Sequence, residues 1–549
     1  MSHLDVLMQY RSPYEAFAKA AARRPDAPFL IAPASAELSY ARDGFRISYG
    51  DMLKQVEALK AEFSAAGYGC GARVALLLDN RPEFFVHWLA LNALGVSIAP
   101  INPDLRPDEL TYQLRKSKAD LLIAAYERMA LARQADLGPT RLIEPGAAIP
   151  ACQSVVSGQN DASGNECALL FTSGSTALPK GCVLSNRYFT GVADWYVNQG
   201  GTAAVKSEGE INLTPLPMFH MNALGASAVG MMAIGGAVVP LDRFSATRWW
   251  ACVADSEATI VHCLGVIPAI LLQLPVSEAE RRDQARFAFA PAVDVRHRAT
   301  FEERYGLPIV DAWAMTETGG AAATTTAQEP SGFPSRCIGR PAQSMDYRLV
   351  NEEGEDVKTG EPGELLVRAK GDDPKAGFFT AYLDDPQSTA EAWAGGWFHT
   401  GDYVSAGADG LLTFFDRKKS IVRRSGENIA VLEVESALHK LPEVEATAVT
   451  PVQDDIRGEE VFAFVVKADP AAKADAALAE AIVQGAAASL AYHKVPAYIA
   501  FVDALPLSST KKIARGEVKT LANNALRDQA VFDFRALKAQ LRKAPAGKA

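Results

Sequence analysis

The chain lacks paired cysteines. Its seven cysteines, Cys70, Cys152, Cys167, Cys182, Cys252, Cys263 and Cys337, are odd in number and scattered, with no C-x-x-C spacing among them. That pattern excludes a disulfide framework and a cysteine zinc site, and it fits reduced thiols in the cytoplasm, the expected location. An excess of positive charge is also missing: 55 Lys and Arg stand against 65 Asp and Glu, a formal charge of -10. Nucleic acid or an anionic membrane would require a broad basic surface, so neither is an expected partner. The N-terminal text MSHLDVLMQYRSPYEAF carries acidic and polar residues where a secretory signal needs an apolar run. The most apolar stretch, 223–241, is rich in Gly and Ala and contains Gly235-Gly236. It reads as a buried helix followed by a strand, not as a membrane span. No solenoid repeat and no G-x-x-x-x-G-K-[ST] loop occurs.

What is present is a globular composition, 48% hydrophobic and 22% charged, on a chain of 549 residues. That is too long for one ordinary core, so two to four domains or subdomains are expected. From Ala72 the text alternates. ARVALLL is a short apolar run, PEFFVHWLALNALG has helical spacing, VSIAPIN is apolar again, RPDELTYQLRKSKA is a polar-faced helix and DLLIAA a further strand. A similar alternation fills 211–310. Strand–helix–strand repetition predicts parallel sheet covered by helices. After about residue 335 the texture changes to short antiparallel strands, with the turn GEDVKTGEPG between the two arms of a hairpin. Beyond Ser420 a new pattern begins: helix VLEVESALHKL, strands EATAVTPV and VFAFVV, a helix around 476–490 and strand AYIAFV. The basic, alanine-rich tail after Ala522 reads either as a docked helix, FDFRALKAQLRK, or as nothing functional, and the second reading is favoured.

One stretch carries chemistry. FTSGSTALPKG, residues 171–181, follows the apolar run CALL and sets five hydroxyl or glycine residues ahead of a lysine. Glycine-freed N–H groups and hydroxyls can wrap phosphate oxygens, and the lysine supplies charge. Six further stretches follow in order: PLPMFHMNALG (215–225), DAWAMTETGG (311–320), GEPGELLVR (360–368), GWFHTGD (396–402), DRKKSIVRRSGENIAVLEVE (416–435) and LPLSSTKKIARGE (505–517). Together they resemble the motifs of the adenylate-forming superfamily of acyl-CoA synthetases, peptide-synthetase adenylation domains and luciferases. The resemblance covers about residues 15–520 and is greatest to AMP-forming acyl-CoA ligases.

The resemblance implies an α/β fold in two parts. Residues 1–419 would form a large domain of αβα layered sheets with a small β-barrel-like subdomain, and 420–549 a small, mobile α+β lid. It implies that ATP, Mg²⁺ and CoA are used with a carboxylic acid. Thr172, Ser173, Gly174, Ser175, Thr176 and Lys180 would hold the β- and γ-phosphates. Thr316 would touch the α-phosphate and Glu317 would ligate Mg²⁺, a hard cation suited to carboxylate oxygen. Asp402, with Arg417 nearby, would accept from the ribose hydroxyls, and Trp313, in place of the usual tyrosine, would stack on adenine. His220 would gate the acyl pocket or orient the carboxylate, with Met221, Asn222, Ala314 and Gly319 beside it. Lys512 would contact carboxylate and α-phosphate during adenylation, an exchange of roles with Lys511 being left open. Ser420 would be the hinge, Gly426 would line the pantetheine channel and Lys494 would meet a CoA phosphate.

Departures from the pattern are Ala177 and Lys511, where glycine is usual, and Ser420, where Asp or Lys is usual. No Asp follows Phe219, which argues against an amino-acid substrate. Ala314 stands where acetyl-CoA synthetase has a second tryptophan, so a medium-chain, branched or aromatic acid is expected, with a hint of a polar substituent from Asn222. Two alternatives stay open: loading of a carrier protein in trans, or a degenerate non-catalytic homologue. Oligomeric state is not legible, a homodimer being one option.

Overall fold

In the computed structural model of the chain, residues 10–154, 162–172, 179–264, 266–280, 284–293, 295–325, 336–417, 420–424, 427–454, 458–490, 492–507 and 513–541 are described.

Short apolar runs without alternation bury both faces, as central parallel strands require. Arg73–Leu77, Ser97–Pro100 and Leu121–Ala124 are such runs and pair in parallel. Between them lie the helices Pro82–Ala93 and Pro107–Ser117. Each starts on proline, whose missing N–H costs nothing in a first turn. The alternation expected from Ala72 onward is borne out. The whole sheet runs Ala381–Tyr382, Lys180–Ser185, Glu166–Thr172, Ser97–Pro100, Arg73–Leu77, Leu121–Ala124, Arg141–Ile143. Its first two pairings are antiparallel. A second sheet runs Ile309–Val310, Phe287–Phe289, Ile260–His262, Ile211–Thr214, Ala237–Pro240, Pro28–Ala32, Phe45–Ser48 and is parallel except at the last pair.

The helices Pro13–Arg23, Tyr49–Ala65, Pro82–Ala93 and Asn186–Val197 bring Phe17, Tyr49, Trp88 and Tyr188 into one core with Leu30 and Phe287 of one sheet and Val74 and Ile98 of the other. Each such buried side chain contributes about 1.5–3 kcal/mol. Residues 223–241 are buried helix and strand, as expected, but the helix opens as a π-helix, Asn222–Val229, before the α-helix Gly230–Ile234 and the strand Ala237–Pro240. Gly225 lets it press on Asn186–Val197, since a Cβ there would lie 2.8 Å from Val192 Cγ1.

The turn-rich region forms a seven-stranded antiparallel sheet, in the order Ala312–Trp313, Ala323–Thr324, Cys337–Pro341, Leu412–Arg417, Phe398–Ala406, Gly363–Ala369, Met345–Val350. The last two strands are the hairpin predicted around GEDVKTGEPG. The C-terminal sheet is built of Glu427–Ala430, Ile421–Arg424, Gly458–Lys467, Tyr498–Phe501 and Phe532–Asp533, with Val444–Asp454 paired to Gly458–Lys467. The helices Val431–Leu438 and Ala476–Ala487 pack on it, and two core clusters consist only of residues between Val422 and Phe534.

The tail docks, contrary to the favoured reading of that segment. Phe532–Asp533 adds a strand beside Tyr498, and the helix Arg535–Leu541 places Lys538 on Glu460 at 2.7 Å, with both side chains almost wholly buried. Arg424 holds the other Glu460 oxygen at 2.5 Å. Among the described residues no helix is long and apolar enough to cross a membrane.

Candidate active site

The antiparallel edge of the first sheet gathers several of the expected phosphate-site residues. Thr172 ends one strand and Lys180 opens its return, and the two are cross-strand partners. Thr172 Oγ1 lies 3.9 Å from Cys182 Sγ. Tyr382, on the edge strand, pairs with Cys182. The Tyr382 hydroxyl donates to Glu317 Oε1 at 2.9 Å, and the Lys180 ammonium sits 4.7 Å from the centre of the Tyr382 ring. Lys180 Nζ also donates to Ser388 Oγ at 2.7 Å and lies 3.7 Å from Asp385. Asp385 caps the short helix Pro386–Ala392 by accepting from Ser388 N.

Glu317 is 7% exposed. Burial first, then the Glu317 charge, pushes the Cys182 thiol and the Tyr382 hydroxyl well up, so both stay protonated beside it. Tyr188 is also pushed up, mainly by burial and then by the charges of Cys182 and Glu317. Among the described residues no cluster of three or more His, Cys, Asp or Glu could cage a metal. A single carboxylate with protonated neighbours suits Mg²⁺, which takes one or two carboxylates and completes its shell with phosphate oxygens and water.

A second group forms where the strand Ala312–Trp313 meets Phe398–Ala406. Trp313 Nε1 donates to Asp402 Oδ2 at 2.8 Å, and Asp402, 1% exposed, is the cross-strand partner of Arg417. Asp402 N donates to Thr400 Oγ1 at 3.0 Å. Asp311, at the start of the same motif, accepts from the backbone N–H groups of Ala292 and Ala312. Burial nevertheless raises its carboxyl to about 6. After Trp313 come exposed Ala314 and half-exposed Thr316. Gly319 turns the chain at φ +57°, and a Cβ there would lie 2.6 Å from the Gly377 carbonyl.

His220 is exposed and Met221 and Asn222 are half-buried, at the entrance of the π-helix. The His220 and Phe219 rings are 4.6 Å apart. In the C-terminal part, Ser420 immediately precedes the strand Ile421–Arg424, and Lys494 donates to Glu433 Oε1 at 2.6 Å. Ile513 is bridged to Leu507, and Arg515 forks onto Glu435 at 2.5 and 2.8 Å. Ser173, Gly174, Ser175, Thr176, Gly426, Lys511 and Lys512 lie outside the described residues.

Sequence reasoning missed Tyr382. The adjoining DPQS cap was readable as a helix start, but nothing local ties that tyrosine to Glu317 or Lys180. It also missed His262, a buried residue joined to Asn222 Oδ1 at 3.1 Å.

The motifs and this geometry meet in one class of protein. A family model described as AMP-binding enzyme matches residues 17–372, and one described as AMP-binding enzyme C-terminal domain matches 433–512. The chain belongs to the AMP-binding enzyme family. Within it the chain is similar to the crotonobetaine/carnitine–CoA ligase of Salmonella arizonae, an acid–thiol ligase, at 27% identity over 86% of this chain and 93% of that protein. Its fold matches the anthranilate CoA ligase AuaEII solved with anthranoyl-AMP, with TM-score 0.78, 20% identity and cover of 94% and 98%. It also matches the Bacillus subtilis o-succinylbenzoate CoA synthetase MenE solved with ATP and magnesium ion, with TM-score 0.74, 22% identity and cover of 91% and 98%.

Proposed function

We propose that the chain is an AMP-forming acyl-CoA ligase that activates a medium-chain, branched or aromatic carboxylic acid. The acid's oxygen attacks the α-phosphate of ATP, pyrophosphate leaves, and the thiol of CoA then attacks the acyl carbon and expels AMP. The observation that carries this reading is the convergence of Thr172, Lys180, Tyr382 and Glu317 at one sheet edge, beside the start of the phosphate loop. Family membership and the names of the relatives, all CoA ligases, support it.

In this reading residues 1–419 bind ATP and acid, and 420–549 are the lid that brings Lys512 and then the CoA channel, hinged at Ser420. Lys180 and the hydroxyls of 172–176 neutralise the β- and γ-phosphates. Asp402 accepts from the ribose hydroxyls, with Arg417 nearby as its cross-strand partner, Trp313 stacks on the adenine and Thr316 touches the α-phosphate. His220, Met221, Asn222, Ala314 and Gly319 border the acyl pocket, and Gly426 and Lys494 meet CoA. Magnesium, when bound at Glu317, supplies positive charge to the phosphates. Tyr382 fixes the carboxylate's rotamer, and the ring under Lys180 keeps that ammonium on the same side.

A kcat/KM series over acetate, butyrate, hexanoate, octanoate and benzoate, with and without CoA, tests the reading. The longer or aromatic acids are expected to exceed acetate, and CoA is expected to be required for product release. Acetate as best substrate overturns the acid class, and CoA-independent turnover with an acyl carrier protein overturns the acceptor. Tyr382→Phe removes the donor to Glu317 and is expected to weaken divalent-metal affinity about 10- to 100-fold. Manganese binding to the enzyme–ATP complex, followed by electron paramagnetic resonance, checks this.

A further inference from the structure

A buried polar chain runs under the π-helix. His262, at the end of the strand Ile260–His262, stacks on Phe289 with ring centres 4.9 Å apart. Its Nε2 is 2.6 Å from the Tyr196 hydroxyl, which accepts from Asn212 Nδ2 at 3.1 Å. Its Nδ1 is 2.9 Å from Ser227 Oγ and 3.1 Å from Asn222 Oδ1. His262, Tyr196, Asn212 and Ser227 are all buried, and only Asn222 reaches toward the surface.

The chain has a polarity. Burial lowers His262 to about 3, so the ring is neutral and carries one N–H. Asn222 Oδ1 only accepts, which puts that hydrogen on Nδ1, and Nε2 then accepts from Tyr196. The reverse direction would leave a buried donor, either the Tyr196 O–H or the Asn212 amide, without an acceptor. The direction drawn leaves only the single unpartnered Asn212 Oδ1, and a buried orphan carbonyl oxygen is the commoner defect. Asn222 is therefore held oxygen-inward, with its amino group turned away from the network. It begins a π-helix, a rare form that recurs at functional sites.

We propose that Asn222 is a specificity-determining residue whose amino group donates to a neutral oxygen (hydroxyl, keto or ether) on the acyl chain of the acid, with His262, Tyr196 and Asn212 as positioning residues. This rests on the placing of residues 220–222 at the acyl pocket. The donor sense excludes an ammonium substituent. The network contains no cation, so a second carboxylate would be desolvated there without a countercharge. A site built around a donor loses that bond with an acid that lacks the oxygen.

The test is acid-dependent pyrophosphate exchange with matched pairs, such as hexanoate against its 4-, 5- and 6-oxygenated forms and benzoate against its hydroxybenzoates. In the wild type at least one oxygenated acid is expected to exceed its parent in kcat/KM by about 10- to 100-fold. Asn222→Leu is expected to erase that ratio by lowering the oxygenated acid far more than its parent, with the KM for ATP unchanged. Tyr196→Phe, which frees the imidazole to turn, is expected to reduce the ratio in the same selective way. A wild type without preference for any oxygenated acid, or an Asn222→Leu enzyme that loses both members of a pair equally, overturns the proposal while the ligase reading stands. No exchange with any acid overturns that reading and this one with it.

Discussion

Glu317→Gln is expected to lower pyrophosphate exchange about 100- to 1,000-fold while leaving the fold intact, because the substitution removes charge and little else. Glutamine has the same shape, and its Oε1 can still accept from the Tyr382 hydroxyl that now reaches Glu317 at 2.9 Å. The neighbours Cys182, Tyr188 and Tyr382 are all held protonated, chiefly by burial, so none can replace the lost anion. A neutral amide also avoids the cost of a carboxylate only 7% exposed, so the melting temperature is expected to hold or rise slightly. The diagnostic pair is thus a lost rate with a retained fold. Manganese binding to the enzyme–ATP complex should weaken in parallel. Retained metal affinity with near-normal exchange would remove Glu317 from the metal site and leave it a structural partner of Tyr382.

The elements that position this carboxylate were readable where a local pattern suffices. Apolar runs such as VALLL and LLIAA marked buried strands, and the turn GEDVKTGEPG marked a hairpin, because each depends on neighbours in sequence. The site is legible only as far as its motifs extend. Lys180 read as the end of a loop, yet it opens a strand, since its register is set by Glu166–Thr172 and not by its own residues. Tyr382 acquires its place from edge pairing with Cys182, 200 positions earlier. His262 sits in an apolar run and meets Tyr196 66 residues away and Asn222 40 residues away. No periodicity carries such information. The π-helix is hidden for another reason. Its Gly/Ala text suits an α-helix equally well, and close packing at Gly225 against Val192 depends on a different helix. The docked-helix reading of the tail could not be preferred because its anchor, Glu460, is one of two adjacent acids opening a β-strand, and nothing local shows that Arg424 and Lys538 close on it.

Lys512→Ala is expected to lower acyl-adenylate formation at least about 100-fold while changing thioester formation from pre-made acyl-AMP by no more than about three-fold. The two half-reactions differ in where charge develops. Attack of one anion, the carboxylate, on another, the α-phosphate, needs a cation between them. In the second step a thiol attacks an acyl carbon already joined to AMP, and that repulsion is gone. The described residues that flank the lysine's stretch are anchored. Ile513 is bridged to Leu507, Ala514 N donates to the Pro506 carbonyl at 2.9 Å, and Arg515 forks onto Glu435. Those contacts are made by Leu507, Pro506, Glu435 and the residues after the lysine, so alanine at 512 is expected to leave the lid folded, which the melting temperature checks. Lys511→Ala is the paired control and should keep both half-reactions near wild type. Loss of adenylation in the Lys511 variant instead would exchange the two roles. Equal loss of both half-reactions in the Lys512 variant would mean that the residue acts through the fold or through both poses of the lid, and the charge-neutralising role would fall.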